Sequence, residues 1–127
     1  YRYDFGDVGE HTPLLKMYTL GHKTEMPPIK ADGLRYHGAA PIVSLLRNLG
    51  IVKAKAYPKD EKVAFEAAKI FLQSEGWLIA PESSHAVRAA IDEALENEKT
   101  GEEKVICINI SGHGFLDIPA YREKILA

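Results

Sequence analysis

Two short stretches carry the residue types that could do chemistry. Ser111-Gly112-His113-Gly114 alternates a hydroxyl and an imidazole with two glycines, directly after the apolar run Val105 to Ile110. Pro81-Glu82-Ser83-Ser84-His85 follows a second apolar run, Trp77-Leu78-Ile79-Ala80. A glycine-rich turn lets backbone N–H groups approach an anion such as a phosphate. This one has neither the G-x-G-x-x-G nor the Walker lysine pattern. Ser83, Ser84 and Ser111 could each act as a nucleophile, but no G-x-S-x-G elbow is present. Glu82 stands out among the carboxylates because it follows an apolar strand and a proline, away from the surface charge runs. The five histidines (11, 22, 37, 85 and 113) fall at no metal-ligand spacing. His85 sits in a first helical turn, where a neutral imidazole bonded to backbone is the ordinary arrangement. Local features leave two readings of Ser111–Gly114 open: a ligand loop, or a tight turn into the last helix.

The elements that would position these stretches follow from periodicity. Tyr1 to Ala31 has no clear period, carries Pro13, Pro27 and Pro28, and is expected to be extended and irregular, with Leu14–Tyr18 as a short strand. Pro41 suits a first helical turn. Ile42, Leu45, Leu46 and Leu49 then fall on one helical face, closed by Gly50. Ile51–Tyr57 reads as a strand stopped by Pro58. Asp60 is placed to cap a helix with Val63, Ala67, Ile70 and Phe71 inward, ending near Gly76. Trp77–Ala80 is the next strand. Glu82, Ser83 and Ser84 are expected to cap a helix facing inward through Val87, Ile91, Ala94 and Leu95, with Asn97–Lys104 as a solvated turn. Val105–Ile110 is a further strand, and Asp117-Ile118-Pro119 opens a terminal helix with Tyr121 and Ile125 inward. Strand and helix alternate from residue 51 onward, which predicts an α/β fold of three layers, αβα, on a mostly parallel sheet. Residues 1–38 form an irregular segment and residues 39–127 the α/β domain. In a parallel sheet the Pro81 and Ser111 loops leave the same carboxyl edge, where ligands collect.

Composition limits the function classes. The chain has 127 residues, a formal charge of −2 and 46% apolar residues, an ordinary globular composition of single-domain size. The charge gives no basic footprint for nucleic acid, and no apolar run approaches the roughly 20 residues that cross a bilayer. The opening Tyr-Arg-Tyr-Asp-Phe is not a signal peptide. Cys107 is the single cysteine, so no internal disulfide forms, which suits the cytoplasm.

Three blocks in order carry a family resemblance: Thr12–His22 (TPLLKMYTLGH), Ala31–Gly38 (ADGLRYHG) before Ala39-Ala40-Pro41, and Ala80–Ala86 (APESSHA) with Asn109–Gly114 (NISGHG) and Asp117. Together they resemble the end of tryptophan synthase beta chains, and Gly-Leu-Arg-Tyr-His-Gly resembles their divergent second class. The resemblance implies the carboxyl-terminal third of a fold-type II pyridoxal phosphate lyase that condenses serine with indole to give tryptophan and water. It implies that Ser111 meets the cofactor's pyridine nitrogen, that Gly33 lines its phenolic edge, that Glu82 positions the ring, and that Gly112 shapes the wall behind it. It makes Arg35, where the usual class has aspartate, a candidate for closing over substrate. It assigns the carbonyls of Tyr36 and Gly38 to a monovalent cation. Lys16, Lys23 and Lys30 do not match the family's Schiff-base lysine, so these residues alone are expected to hold one wall of a cofactor site and no chemistry. The implied partners are the remainder of the beta chain, a second copy in a homodimer, and an alpha chain. A sister fold-type II enzyme of the threonine synthase or serine dehydratase kind, and a non-catalytic α/β binding module, are the alternatives.

Overall fold

The computed structural model describes residues 1–57 and 61–125. Pro58 and Asp60, expected to stop a strand and cap a helix, lie outside the described residues. The chain divides into two compact units, one of Tyr1–Pro28 with Gly33–Ala56 and one of Ile29–Asp32 with Tyr57–Ala127.

In the first unit, β1 (Arg2–Asp4) pairs antiparallel with β2 (Leu15–Met17), Tyr3 opposite Lys16. The segment is therefore more ordered than its lack of period suggested. Asp7 closes the connecting loop, its carboxylate accepting from the amides of His11 (3.0 Å) and Thr12 (3.0 Å). Beyond β2 the chain continues into an isolated antiparallel bridge between Thr19 and Gly38. A side chain at Gly38 would meet Met17 Sδ at 2.6 Å, so a larger residue there would have to displace the Met17 side chain.

Helix α1 (Pro41–Asn48) starts with proline in its first turn, as expected. Gly50 beyond its end has φ +75°, and Ile51 N–H returns to Leu46 C=O at 3.0 Å. That arrangement satisfies the orphan carbonyls of the last turn. On the apolar face Ile42, Leu45 and Leu49 are exposed and Leu46 is half-buried, and the buried residue of the helix is Ser44. Ser44 Oγ accepts from Tyr18 N–H (3.0 Å) and donates to Ala39 C=O (3.1 Å), so a hydroxyl anchors this helix.

The second unit is built on α2 (Lys62–Glu75), α3 (Pro81–Thr100) and α4 (Ile118–Ile125). Gly76 and Gly101 end the first two in the left-handed conformation, at φ +72° and +71°. Two expectations for α3 are corrected. It begins with Pro81 in its first turn after extended Ala80, with no side-chain cap, because a proline there needs no donor satisfied. It also runs on to Thr100, through the region expected to be a turn, because nothing before Gly101 breaks it.

Phe65, Ala67, Ala68, Ile79, Val87 and Tyr121 form the core. Phe65 and Tyr121 meet edge to face, centroids 5.0 Å apart at 74°. Tyr121 Oη donates to the buried Ile79 carbonyl at 2.6 Å, and burial of the phenol pushes its pKa up to about 12.

The fold is α/β in the sense of four helices and a two-stranded antiparallel sheet among the described residues. Ile51–Tyr57, Trp77–Ala80 and Val105–Ile110, expected as parallel strands, form no ladder among the described residues. The bridge at this place, Ile79 with His113, is antiparallel. A strand exists through its neighbours' hydrogen bonds, and an apolar run cannot supply those alone.

Phe65→Ala is expected to lower the unfolding free energy by about 3–5 kcal/mol. Denaturant unfolding reads this directly, and a loss under about 1 kcal/mol would place the ring outside the core.

Candidate functional site

The second unit brings together the two stretches that the sequence separates by almost thirty residues. Ser83, in the first turn of α3, donates its hydroxyl to the Ser111 carbonyl at 2.7 Å. Gly114 N–H donates to Leu78 C=O at 3.0 Å. Both turns are thereby fixed against Trp77–Ala80. The two glycines have separate reasons. Gly112 sits at φ +86°, where L side chains are strained. Gly114 is buried so tightly that a Cβ would stand 2.5 Å from the Ile79 carbonyl oxygen.

The other polar groups of the two turns are committed to backbone. Ser84 Oγ donates to Pro81 C=O at 2.5 Å, and His85 Nδ1 lies 3.2 Å from the same carbonyl. His113 Nδ1 accepts from Phe115 N–H at 3.2 Å and caps the 3-10 turn Gly114–Asp117. No serine hydroxyl is hydrogen-bonded to an imidazole among the described residues, so the arrangement does not make a nucleophile. Ser111 differs. Its side chain is exposed and makes no hydrogen bond among the described residues, while its carbonyl is pinned by Ser83. It presents a neutral hydroxyl from a fixed backbone.

A carboxylate cluster accompanies the turn. Burial first, and then the charges of Glu82 and Asp32, raise the Asp117 pKa above its ordinary value. Glu82 itself stands in the first turn of α3, where the helix dipole favours negative charge. Sequence reasoning offered Ser83 as a nucleophile or a cap and Asp117 as a helix start, and neither as part of this contact. The hydroxyl three residues beyond Ala80 was readable as a cap, but its partner at Ser111 depends on tertiary folding.

Four expected residues belong to the first unit. Gly33 lies in the 3-10 turn Asp32–Leu34. Arg35 turns its guanidinium onto backbone, Nε to Pro27 C=O at 3.1 Å and Nη2 to Met26 C=O at 3.2 Å. Tyr36 is exposed. Around Gly38, the bonds of the bridge run from Leu20 N–H to His37 C=O (2.7 Å) and from Ala39 N–H to Tyr18 C=O (2.9 Å). The His37 carbonyl is therefore used, whereas no hydrogen bond to the Tyr36 or Gly38 carbonyl occurs among the described residues. No group of three or more His, Cys, Asp or Glu side chains among the described residues could hold a metal ion.

Gly114→Ala is expected to cost about 1–3 kcal/mol of stability, because the Cβ forces backbone apart. Leu116→Ala, at a side chain that is 93% exposed, should stay within about 0.5 kcal/mol. Equal effects in thermal or denaturant unfolding would contradict the close approach at Gly114.

No family model matches the chain. Individual proteins do. It is 54% identical over 125 residues to tryptophan synthase beta chain 2 of Thermococcus kodakarensis, covering 98% of this chain and 28% of that protein. It is 57% identical over 125 residues to the same-named protein of Pyrococcus furiosus, with the same coverage. Against that of Aquifex aeolicus it is 59% identical over 121 residues, covering 95% of this chain and 27% of the relative. The chain thus spans little more than a quarter of the length of the curated relatives it matches. By sequence, these 127 residues belong to the tryptophan synthase beta chain family and match the carboxyl-terminal part of its members.

Proposed function

We propose that the protein carrying these residues is a pyridoxal phosphate-dependent lyase that joins L-serine to indole by β-replacement, giving L-tryptophan and water. The observation that carries the reading to a specific group is Ser111: an exposed hydroxyl without a partner among the described residues, on a turn fixed by Ser83 and by the left-handed Gly112. When bound, the cofactor supplies the electron sink of the reaction. This chain's residues have the complementary tasks. A hydroxyl can hydrogen-bond a pyridine nitrogen without forcing a proton onto it, as a carboxylate would. Glu82, in the first turn of α3, lies close enough to Asp117 to raise its pKa, and it helps orient the ring. Gly112 shapes the wall behind it, and Gly33 contributes a backbone edge. The Tyr36 and Gly38 carbonyls, which accept no hydrogen bond among the described residues, are the candidates to hold a monovalent cation.

Arg35 is the candidate for closure over substrate, and its bonds to the Met26 and Pro27 carbonyls give it a second, structural task. No position here matches the Schiff-base lysine, so the 127 residues alone are inactive on this reading.

The same reading extends the fold. Ile51–Tyr57, Trp77–Ala80 and Val105–Ile110 are strands of a mostly parallel, three-layer sheet whose other strands come from the remainder of the beta chain. In support, Val105 is 94% exposed in a run that is apolar but for Asn109, and its neighbour Ile106 is exposed too. Residues 1–38 pack on that remainder, with 39–127 as the α/β part. A homodimer, an alpha-chain partner and a cytoplasmic setting complete it. No helix among the described residues is long and apolar enough to cross a membrane.

The longer reading frame, expressed with pyridoxal phosphate, serine and indole, is expected to show cofactor absorbance in the visible range and to form tryptophan. No such absorbance and no product would end the proposal. Product from other amino acids or acceptors in place of serine and indole would point to a sister enzyme. Ser111→Ala in that protein should shift the cofactor absorbance and lower kcat/KM about 3- to 10-fold, the range for one hydrogen bond. Unchanged spectra and rates would remove Ser111 from the site.

A further inference from the structure

His22 lies outside the candidate cofactor wall, yet both of its ring nitrogens face carboxylates. Nδ1 is 2.6 Å from Asp4 Oδ1 and Nε2 is 3.0 Å from Glu10 Oε1. A neutral imidazole has a single N–H, and would leave one lone pair against a carboxylate oxygen. Only the imidazolium satisfies both. Asp4 is buried at the end of β1, and its second oxygen accepts from Thr19 Oγ1 at 2.5 Å. Glu10 holds its place at φ 60°, a backbone region that non-glycine residues seldom occupy. The Phe5 ring stands edge-on to the imidazole at 5.3 Å. Lys23 pairs with Glu10 at 3.0 Å, and Arg2, Tyr3 and Lys23 line the same cavity of about 450 Å³.

This cluster reaches the bridge that carries the Gly38 loop. Thr19 donates to Asp4, accepts from Gly21 N–H at 2.9 Å, and is itself the residue paired with Gly38. His37, beside Gly38, reaches the Phe5 carbonyl through Nε2 at 2.8 Å. One carboxylate therefore orients the imidazole on one side and the bridge residue on the other.

We propose that His22 is a pH-sensitive latch: as an imidazolium it clamps the Gly21 turn to β1 and to the Glu10 loop, and on losing its proton it loosens the Thr19–Gly38 bridge. The sign follows from the partners. Asp4 first, then Glu10, raise the His22 pKa, so the stabilisation is complete below about 6.5 and is lost as pH rises through the raised value. The Thr19 hydroxyl, then His22 and the Phe5 amide, outweigh burial and hold Asp4 at about 2, so its contribution persists until pH falls below about 4 and is lost towards that value. Glu10 is lowered by Lys23 first and His22 next. The latch is closed between these limits.

The proposal stands apart from the β-replacement reading, because its test needs neither cofactor nor substrate. Amide hydrogen exchange, corrected for the intrinsic pH dependence, is measured on the full-length protein carrying these residues. Protection at Leu15–Leu20 and His37–Ala39 should be level from about pH 4 to 6.5, then fall about tenfold per pH unit until the imidazole is neutral. His22→Gln should start lower and lose that slope. Glu10→Gln, which leaves the imidazole in place, should still begin to fall near pH 6.5 but stop at a lower pH, so that less protection is lost in all. The latch is overturned if His22→Gln keeps the wild-type slope, if Glu10→Gln leaves the end of the fall where it was, or if α2 and α3 amides lose protection in parallel.

Discussion

The second unit depends on what happens to the carbonyl of Ile79. This residue is wholly buried and lies in an extended segment without a ladder, so its C=O has neither water nor a neighbouring strand. An unmet buried carbonyl costs about 1–3 kcal/mol. Tyr121 meets it with a phenol from α4, and Gly114 meets the adjacent Leu78 carbonyl with an amide. These two bonds tie the terminal helix and the Ser111 turn to one short segment, and Ser83 adds the third tie from α3. The position of Ser111 is thus a consequence of hydrogen-bond satisfaction in the core.

Helices were legible in the sequence because their signals are local. Pro41, Gly50 and Gly76 mark starts and ends by backbone preferences that need no tertiary partner, whereas Pro81 and Gly101, which bound α3, were not read as its ends. The reading of α1 as an amphipathic helix held, but it went no further than local signals reach. A helical stripe says that one face is apolar, not which body it meets, and here Ser44 faces inward while Ile42 and Leu49 do not. The sheet was less legible still, since pairing belongs to two segments at once. The sequence marks the apolar runs, but says nothing of what pairs with them.

The candidate site divides in the same way. That the Glu82 and Ser111 turns converge was readable from the order of elements, and Ser83 with Ser111 bears this out even though no parallel ladder is present. The Asp4–His22–Glu10 cluster was not readable, because its members lie 18 and 12 residues apart with no period. Arg35 was readable as a departure from the usual class, but its engagement with two backbone carbonyls was not.

The turn from Ser111 to Leu116 also sets what variation can do here. Gly112 and Gly114 are closed to larger residues, one by its dihedral angle and one by the carbonyl beside it. Phe115 and Leu116 face solvent, and the exposed His113 side chain hydrogen-bonds, among the described residues, within its own turn. A designer wishing to recolour this wall for a different small molecule therefore has an alphabet at three positions and punctuation at two. Diversity placed on 113, 115 and 116 explores new surfaces on an intact scaffold, while diversity on the glycines explores mainly ways of losing it.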